Sequence, residues 1–169
     1  MTRDSDQLHS RVAAAHRTAL TLVLALALSI VFYAGAGLLI LNLRGSSPQA
    51  EPPYPFYAAA AVLAIGSILL RRAQLHRIKL EVVAGTRGVD GLIKHLLKAT
   101  ILAAAIAEII GVAALVVAFF GGDQNDVIRL GVVAMAVSLY NYPRRSAWQR
   151  AVDYFSSTYK GAAEGKLGL

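Results

Sequence analysis

Apolar positions along this chain gather into four unbroken blocks separated by polar segments. The first runs from about Ala19 to Leu43 (ALTLVLALALSIVFYAGAGLLILNL) and carries no charge. The second is shorter, from about Tyr54 to Leu70, with Pro53 and Pro55 at its start, where a missing N–H costs a helix least. The third runs from Ala99 to Phe120 and is closed by Gly121 and Gly122; the fourth runs from about Val127 to Tyr142, with Pro143 at its end. A helix needs roughly 20 residues to cross about 30 Å of hydrocarbon. Inside hydrocarbon every backbone polar group needs a partner within the protein, and none of the blocks alternates as a barrel strand does. The pattern predicts an all-α polytopic membrane protein: a four-transmembrane-helix bundle over residues 19–142, preceded by a short segment (1–18) and followed by a tail (143–169).

Basic residues set the direction of threading. They lie in the N-terminal segment (Arg3, Arg11, Arg17), between blocks two and three (Arg71, Arg72, Arg77, Lys79, Arg87, Lys94, Lys98) and after block four (Arg144, Arg145, Arg150, Lys160, Lys166). Of the 17 basic residues, only Arg44 and Arg129 fall on the other side, where Glu51, Asp123 and Asp126 also lie. This asymmetry predicts an N-in, C-in topology, with the positive face in the cytoplasm of a bacterial inner membrane. The triplet Ala34-Gly35-Ala36 after a basic start imitates a signal-peptide cleavage site. The apolar run continues through Leu38, Leu39, Ile40 and Leu41, longer than a typical signal core, so the first helix is expected to be retained.

Composition agrees with this picture. Apolar residues make up 56% of the chain and charged ones 16%, against about a quarter charged in soluble domains. The net charge of +7 would suggest nucleic acid as a partner on a soluble surface, but here the charge flanks the apolar blocks, so no nucleic-acid binding is expected. Absence of cysteine removes disulfides, thiolate metal sites and cysteine nucleophiles.

Two polar segments carry patterns of their own. In residues 71–98, Leu75, Ile78, Leu80, Val82 and Val83 alternate with basic residues, which predicts that helix two continues beyond the membrane. Gly85-Thr-Arg-Gly88 would break it, and Asp90 would cap a helix leading into block three. The result would be a basic hairpin projecting into the cytoplasm or lying on anionic lipid headgroups. In the tail, Trp148, Val152, Phe155 and Tyr159 recur on one helical face beside Arg144, Arg145 and Arg150. That predicts an interfacial amphipathic helix, with Arg71, Arg72, Arg144, Arg145 and Trp148 as membrane-interface anchors.

Glu108 requires more than a topological explanation. It sits near the middle of block three, where an ionised carboxylate facing lipid costs several kcal/mol, so it is expected to face the bundle. Ala103, Ala104, Ala107 and Gly111 give that helix a small-residue surface that allows close approach of a neighbour. Ser29, Tyr33, Ser67 and Ser138 are candidate partners at similar depth, Tyr33 and Ser67 foremost. Glu108 is either a proton- or cation-binding carboxylate or an interhelix hydrogen-bond donor that fixes packing. Gly35 and Gly37 are read as helix-packing positions. The stretch Ala103-Ala-Ala-Ile-Ala-Glu108-Ile-Ile-Gly111 resembles the carboxylate-bearing helix of rotary ATP synthase c subunits, which implies an ion-carrying role for Glu108. The resemblance covers about 20 residues; the glycine-repeat helix of that family is represented here only by Gly35-Ala-Gly37, and its polar-loop motif is absent. The layout, with Pro143-Arg144 after the last block, also resembles small uncharacterised bacterial membrane proteins.

The remaining polar residues suggest no further chemistry. His9, His16, His76 and His95 are expected to be solvated or to face headgroups, and no metal or cofactor is expected. Asp123 and Asp126 predict a short outer turn with Asp126 capping helix four. Arg129 is expected to snorkel outward and Asn141 to sit at the interface. No phosphate loop, nucleophile elbow or zinc-protease motif occurs. The sequence thus leads to a non-enzymatic subunit or accessory protein that packs against copies of itself or other membrane subunits. A small ion-translocating component using Glu108 is the alternative.

Overall fold

A computed structural model describes residues 2–44 and 54–165 and, among them, five helices and no strand. These are α1 (Thr2–Arg44), α2 (Tyr54–Gln74), α3 (Arg77–Phe119), α4 (Gln124–Tyr140) and α5 (Arg145–Gly165). The protein is all-α, and α1, α2 and α3 are each long and apolar enough to cross a membrane. The fourth block forms α4, whose 17 residues span about 25 Å at 1.5 Å per residue, somewhat less than the hydrocarbon thickness.

The central element is α3, which touches the other four helices, whereas among the described residues α1 and α2 do not touch. Two cores follow from the lengths of α1 and α3. At 43 residues each, they run about 65 Å, roughly twice what α2 or α4 can cover. Beside α2 and α4, their apolar halves enclose Ile30, Ile110, Val117 and Leu130 among Ala107, Ala114, Ala118 and Ala134. The buried face of α4 (Val127, Leu130, Gly131, Ala134, Val137, Ser138) recurs at the three-to-four-residue spacing of a helix packed along one side. Small residues set the approach distances. A β-carbon on Gly37 would stand 3.1 Å from Val127, one on Gly111 2.9 Å from Ile30 and one on Gly131 3.2 Å from Ala34.

The second core lies beyond the first, at the end where the basic residues gather. The polar first half of α1, the first turns of α3 and α5 enclose Val12, Leu92, Leu96, Trp148, Val152 and Phe155. Arg11 and Asp90, both largely exposed, pair at 3.3 Å across α1 and α3. Such surface pairs contribute at most about 1 kcal/mol.

Several expectations are corrected here. Helix two ends at Gln74 and does not continue; the chain breaks at Leu75 and His76, and a new helix starts at Arg77. The expected break is present at Gly88, whose φ 65° and ψ −172°, in a region that L side chains avoid, separate two helical stretches within α3. Asp90 lies two residues past that break, and its carboxylate accepts from Arg11 of α1 at 3.3 Å. The basic segment is not a free hairpin, because Leu92, Ile93 and Leu96 pack against α1 and α5. In the tail, Trp148, Val152 and Phe155 are buried in protein instead of facing an interface. Tyr159, Lys160, Lys166, Pro53 and Glu51 lie outside the described residues or side chains.

At the opposite end α3 closes with Gly121 at φ 91°, and the Gly122 N–H reaches the Val117 carbonyl at 2.9 Å in a Schellman-type turn. The N-cap of α4 is Asp123, not Asp126. Its carboxylate accepts from the Asp126 N–H at 2.7 Å, while the Asp126 carboxylate accepts from the Asp123 N–H at 3.1 Å. The helix begins three residues before its apolar block, which moves the cap upstream. Arg44 donates to the Phe119 carbonyl at 2.8 Å, and Tyr57 donates to Asp126, tying α1 to α3 and α2 to α4. Arg129 is exposed and reaches the same phenol at this end of the bundle.

Candidate functional site

Glu108 lies half-buried on α3, and the Tyr33 hydroxyl of α1 donates to its Oε1 at 3.4 Å. That is long for an O–H···O bond, whose usual separation is about 2.7–2.8 Å. Tyr33 is its hydrogen-bond partner among the described residues. The Ser29 hydroxyl bonds back to the Ala25 carbonyl at 3.1 Å within its own helix. Ser67 is not a partner of Glu108: it is fully buried nearer the basic end, where Asn141 donates to its Oγ at 2.9 Å. Of the two foremost candidates, Tyr33 thus meets Glu108, and the Ser67 hydroxyl is taken up by Asn141.

Around Glu108, Ala103 and Ala107 are buried and Gly111 abuts Ile30, so the small-residue face of α3 is already covered by this chain's own helices. The two helix-one glycines part company. Gly37 is packed against Val127 and Ala118, but a β-carbon on Gly35 would meet nothing within 4 Å, so Gly35 is not a packing position within this chain.

A second constellation lies where α2, α3, the α4–α5 link and α5 meet. A cavity of about 200 Å³ is lined by Arg71, Thr100, Asn141, Arg144 and Trp148 among leucines and alanines. It adjoins a wider groove lined by Arg71, Arg72, His76, Tyr140 and Arg144. Arg71 belongs to both. Its guanidinium lies 5.2 Å over the Tyr140 ring and donates to the Tyr142 carbonyl at 3.4 Å. Arg72 and Arg144 are exposed at the groove, and Arg145 is exposed but lines neither space. Thus Arg71, Arg144 and Trp148 are brought together, with Trp148 as a buried wall.

Asn141 is the residue that sequence reading undervalued. It is 3% exposed, and its amide N–H groups donate to Ser67 Oγ and to the Val137 carbonyl, both at 2.9 Å. Its Oδ1 is buried with no hydrogen-bond partner among the described residues. A buried, unsatisfied acceptor costs about 1–3 kcal/mol. The sequence signal was a lone amide near the end of an apolar block, two residues before a proline. Of the four histidines, His9 and His76 are exposed, whereas His16 and His95 are turned into the protein. His16 is buried, donates from Nε2 to the Pro143 carbonyl at 3.1 Å and stands edge-on to Trp148 at 5.7 Å. His95 donates likewise to the Gln74 carbonyl at 3.1 Å. Each joins a helix of the second core to a carbonyl at or just past the end of α2 or α4.

No family model, curated protein or solved structure matches this chain. What the sites do chemically therefore follows from their own geometry. Among the described residues no three metal-ligating side chains converge. The arrangement offers one mid-helix carboxylate with a single weak donor, and one cationic cavity with an unpaired buried acceptor.

Proposed function

We propose that the chain is an integral membrane protein of the bacterial inner membrane, crossing the bilayer four times with both ends in the cytoplasm. It acts without catalysis, as a subunit or accessory protein that packs against copies of itself or other membrane subunits. The observation carrying this reading is Glu108. A partly exposed carboxyl group at the middle of an apolar block, with one 3.4 Å hydrogen bond, meets hydrocarbon on its open side unless a neighbouring chain covers it. The open surface agrees: only 11% of the most apolar stretch of α2 is buried, and Gly35 leaves an uncovered notch on α1. Small uncovered residues are where membrane helices approach one another.

The same carboxyl favours a second reading, a small proton- or cation-translocating component. One weak donor leaves the group free to exchange a proton, and the c-subunit resemblance of its helix points the same way. The experiment that separates the two is purification of the full chain in mild detergent, with assembly mass and proton flux in liposomes measured for the native chain and Glu108→Gln. For a packing subunit, the native chain runs as an assembly larger than one copy, and Gln, which still donates and accepts, retains it. For a translocator, flux is present and Gln abolishes it. Recovery as an isolated monomer without flux contradicts both.

A further inference from the structure

We propose that the cavity beside Asn141 holds the phosphate of an anionic phospholipid headgroup. This rests on the reading of the chain as membrane-embedded. Two independent features specify the occupant.

The first is charge. Arg71 and Arg144 both line the cavity and the groove beside it, Arg72 adds a third guanidinium at the groove, and no carboxylate lines either space. The two shared guanidinium groups repel one another, and an anion between them removes that repulsion. Arginine holds phosphate by paired N–H donors, which suits it to a phosphodiester.

A zwitterionic headgroup fits worse, because its cation would meet the arginines.

The second is shape. A cavity of about 200 Å³ is modestly larger than the roughly 150 Å³ site that takes up benzene in an engineered core. It takes a glycerol-phosphate group but not the chains. Those leave along the groove, where Leu139 and Tyr140 are exposed beside Arg71.

The test is native mass spectrometry of the full chain in mild nonionic detergent, delipidated and then offered one compound at a time. The series holds the protein constant: phosphatidylglycerol, phosphatidylmethanol (the same charge without hydroxyls), phosphatidylcholine and soluble glycerol 3-phosphate. Phosphatidylglycerol is expected to bind one per chain. Phosphatidylmethanol, which keeps the phosphodiester charge, should bind within about threefold of phosphatidylglycerol, and phosphatidylcholine at least about tenfold more weakly. Arg144→Gln is the variant of choice, because Arg144 is exposed and has no ion-pair partner among the described residues. It should weaken phosphatidylglycerol at least about tenfold, as expected for a charged hydrogen bond, with helicity and melting temperature unchanged.

Equal retention of phosphatidylcholine and phosphatidylglycerol, or no effect of Arg144→Gln, overturns the proposal. So does occupancy by water alone, seen as no retained lipid of any class. Binding of glycerol 3-phosphate as tightly as the lipid would make this a site for soluble phosphate esters and would overturn the choice of a lipid. The same spectra give the number of chains per assembly, so failure of the lipid site and failure of the subunit reading are recorded separately.

Discussion

A β-carbon built on Gly111 would stand 2.9 Å from Ile30 Cγ1, closer than real side chains pack, whereas one built on Gly35 would meet nothing within 4 Å. The two glycines are therefore opposite experiments in the same chain. Gly111→Val is expected to push α1 off α3 and to destabilise the protein by about 1–3 kcal/mol, the usual cost of overpacking. Gly35→Val should leave a detergent-solubilised monomer almost unchanged in thermal unfolding, and its effect should be confined to assembly mass. Equal loss of melting temperature in both would contradict the packing described. In the sequence these residues looked alike, and so did Gly35 and Gly37, because composition does not report which side of a helix faces a neighbour. Glu108 was legible as the carboxyl that needs a partner, and Tyr33 lies within reach of it. Asn141 was not, since its burial depends on how α2 meets the link after α4.

At the scale of the element, the apolar blocks were readable because length and lack of charge determine a helix almost without reference to its surroundings. The amphipathic segments were not. Val152 and Phe155 recur on one face of α5 either way, and periodicity does not say whether that face meets lipid or protein. Here the meeting partner is built by the early turns of α1 and α3, far apart in sequence and with only short apolar signals of their own. Trp148 is the hinge of that arrangement: it is 5% exposed, and His16 stands edge-on to its ring while donating to the Pro143 carbonyl. Trp148→Ala should cost about 3–5 kcal/mol of local stability, as large-to-small changes in a core do. The expected readout is rapid proteolytic loss of the segment after Pro143, with the rest of the chain still protected. A tail that stays as resistant as in the native protein would show that α5 is held elsewhere, for example by a lipid surface.

For the molecule as a whole, the weakest link between fold and topology is α4. Its 17 residues cover about 25 Å, so it crosses a bilayer only if Asp123 and Asn141 both sit at headgroup level or the membrane thins around them. The polar groups at its two ends make that arrangement reasonable. At one end Asp123 and Asp126 close the capping box and Gln124 donates to Asn42 of α1 at 3.0 Å. At the other, the Arg71–Arg144 cluster has the positive charge expected of a cytoplasmic face. The chain contains no cysteine, so a single introduced thiol reports without background. Asn125 and Ser146 are both exposed, just before and just after the helix core. In intact cells a membrane-impermeant maleimide should label Asn125→Cys and leave Ser146→Cys unlabelled until the cells are opened. Labelling of both, or of neither, would mean that α4 returns to the side it came from. Three crossings would then carry the N-terminal segment and the α5 end to opposite faces, and the basic cluster would no longer mark one side of the membrane.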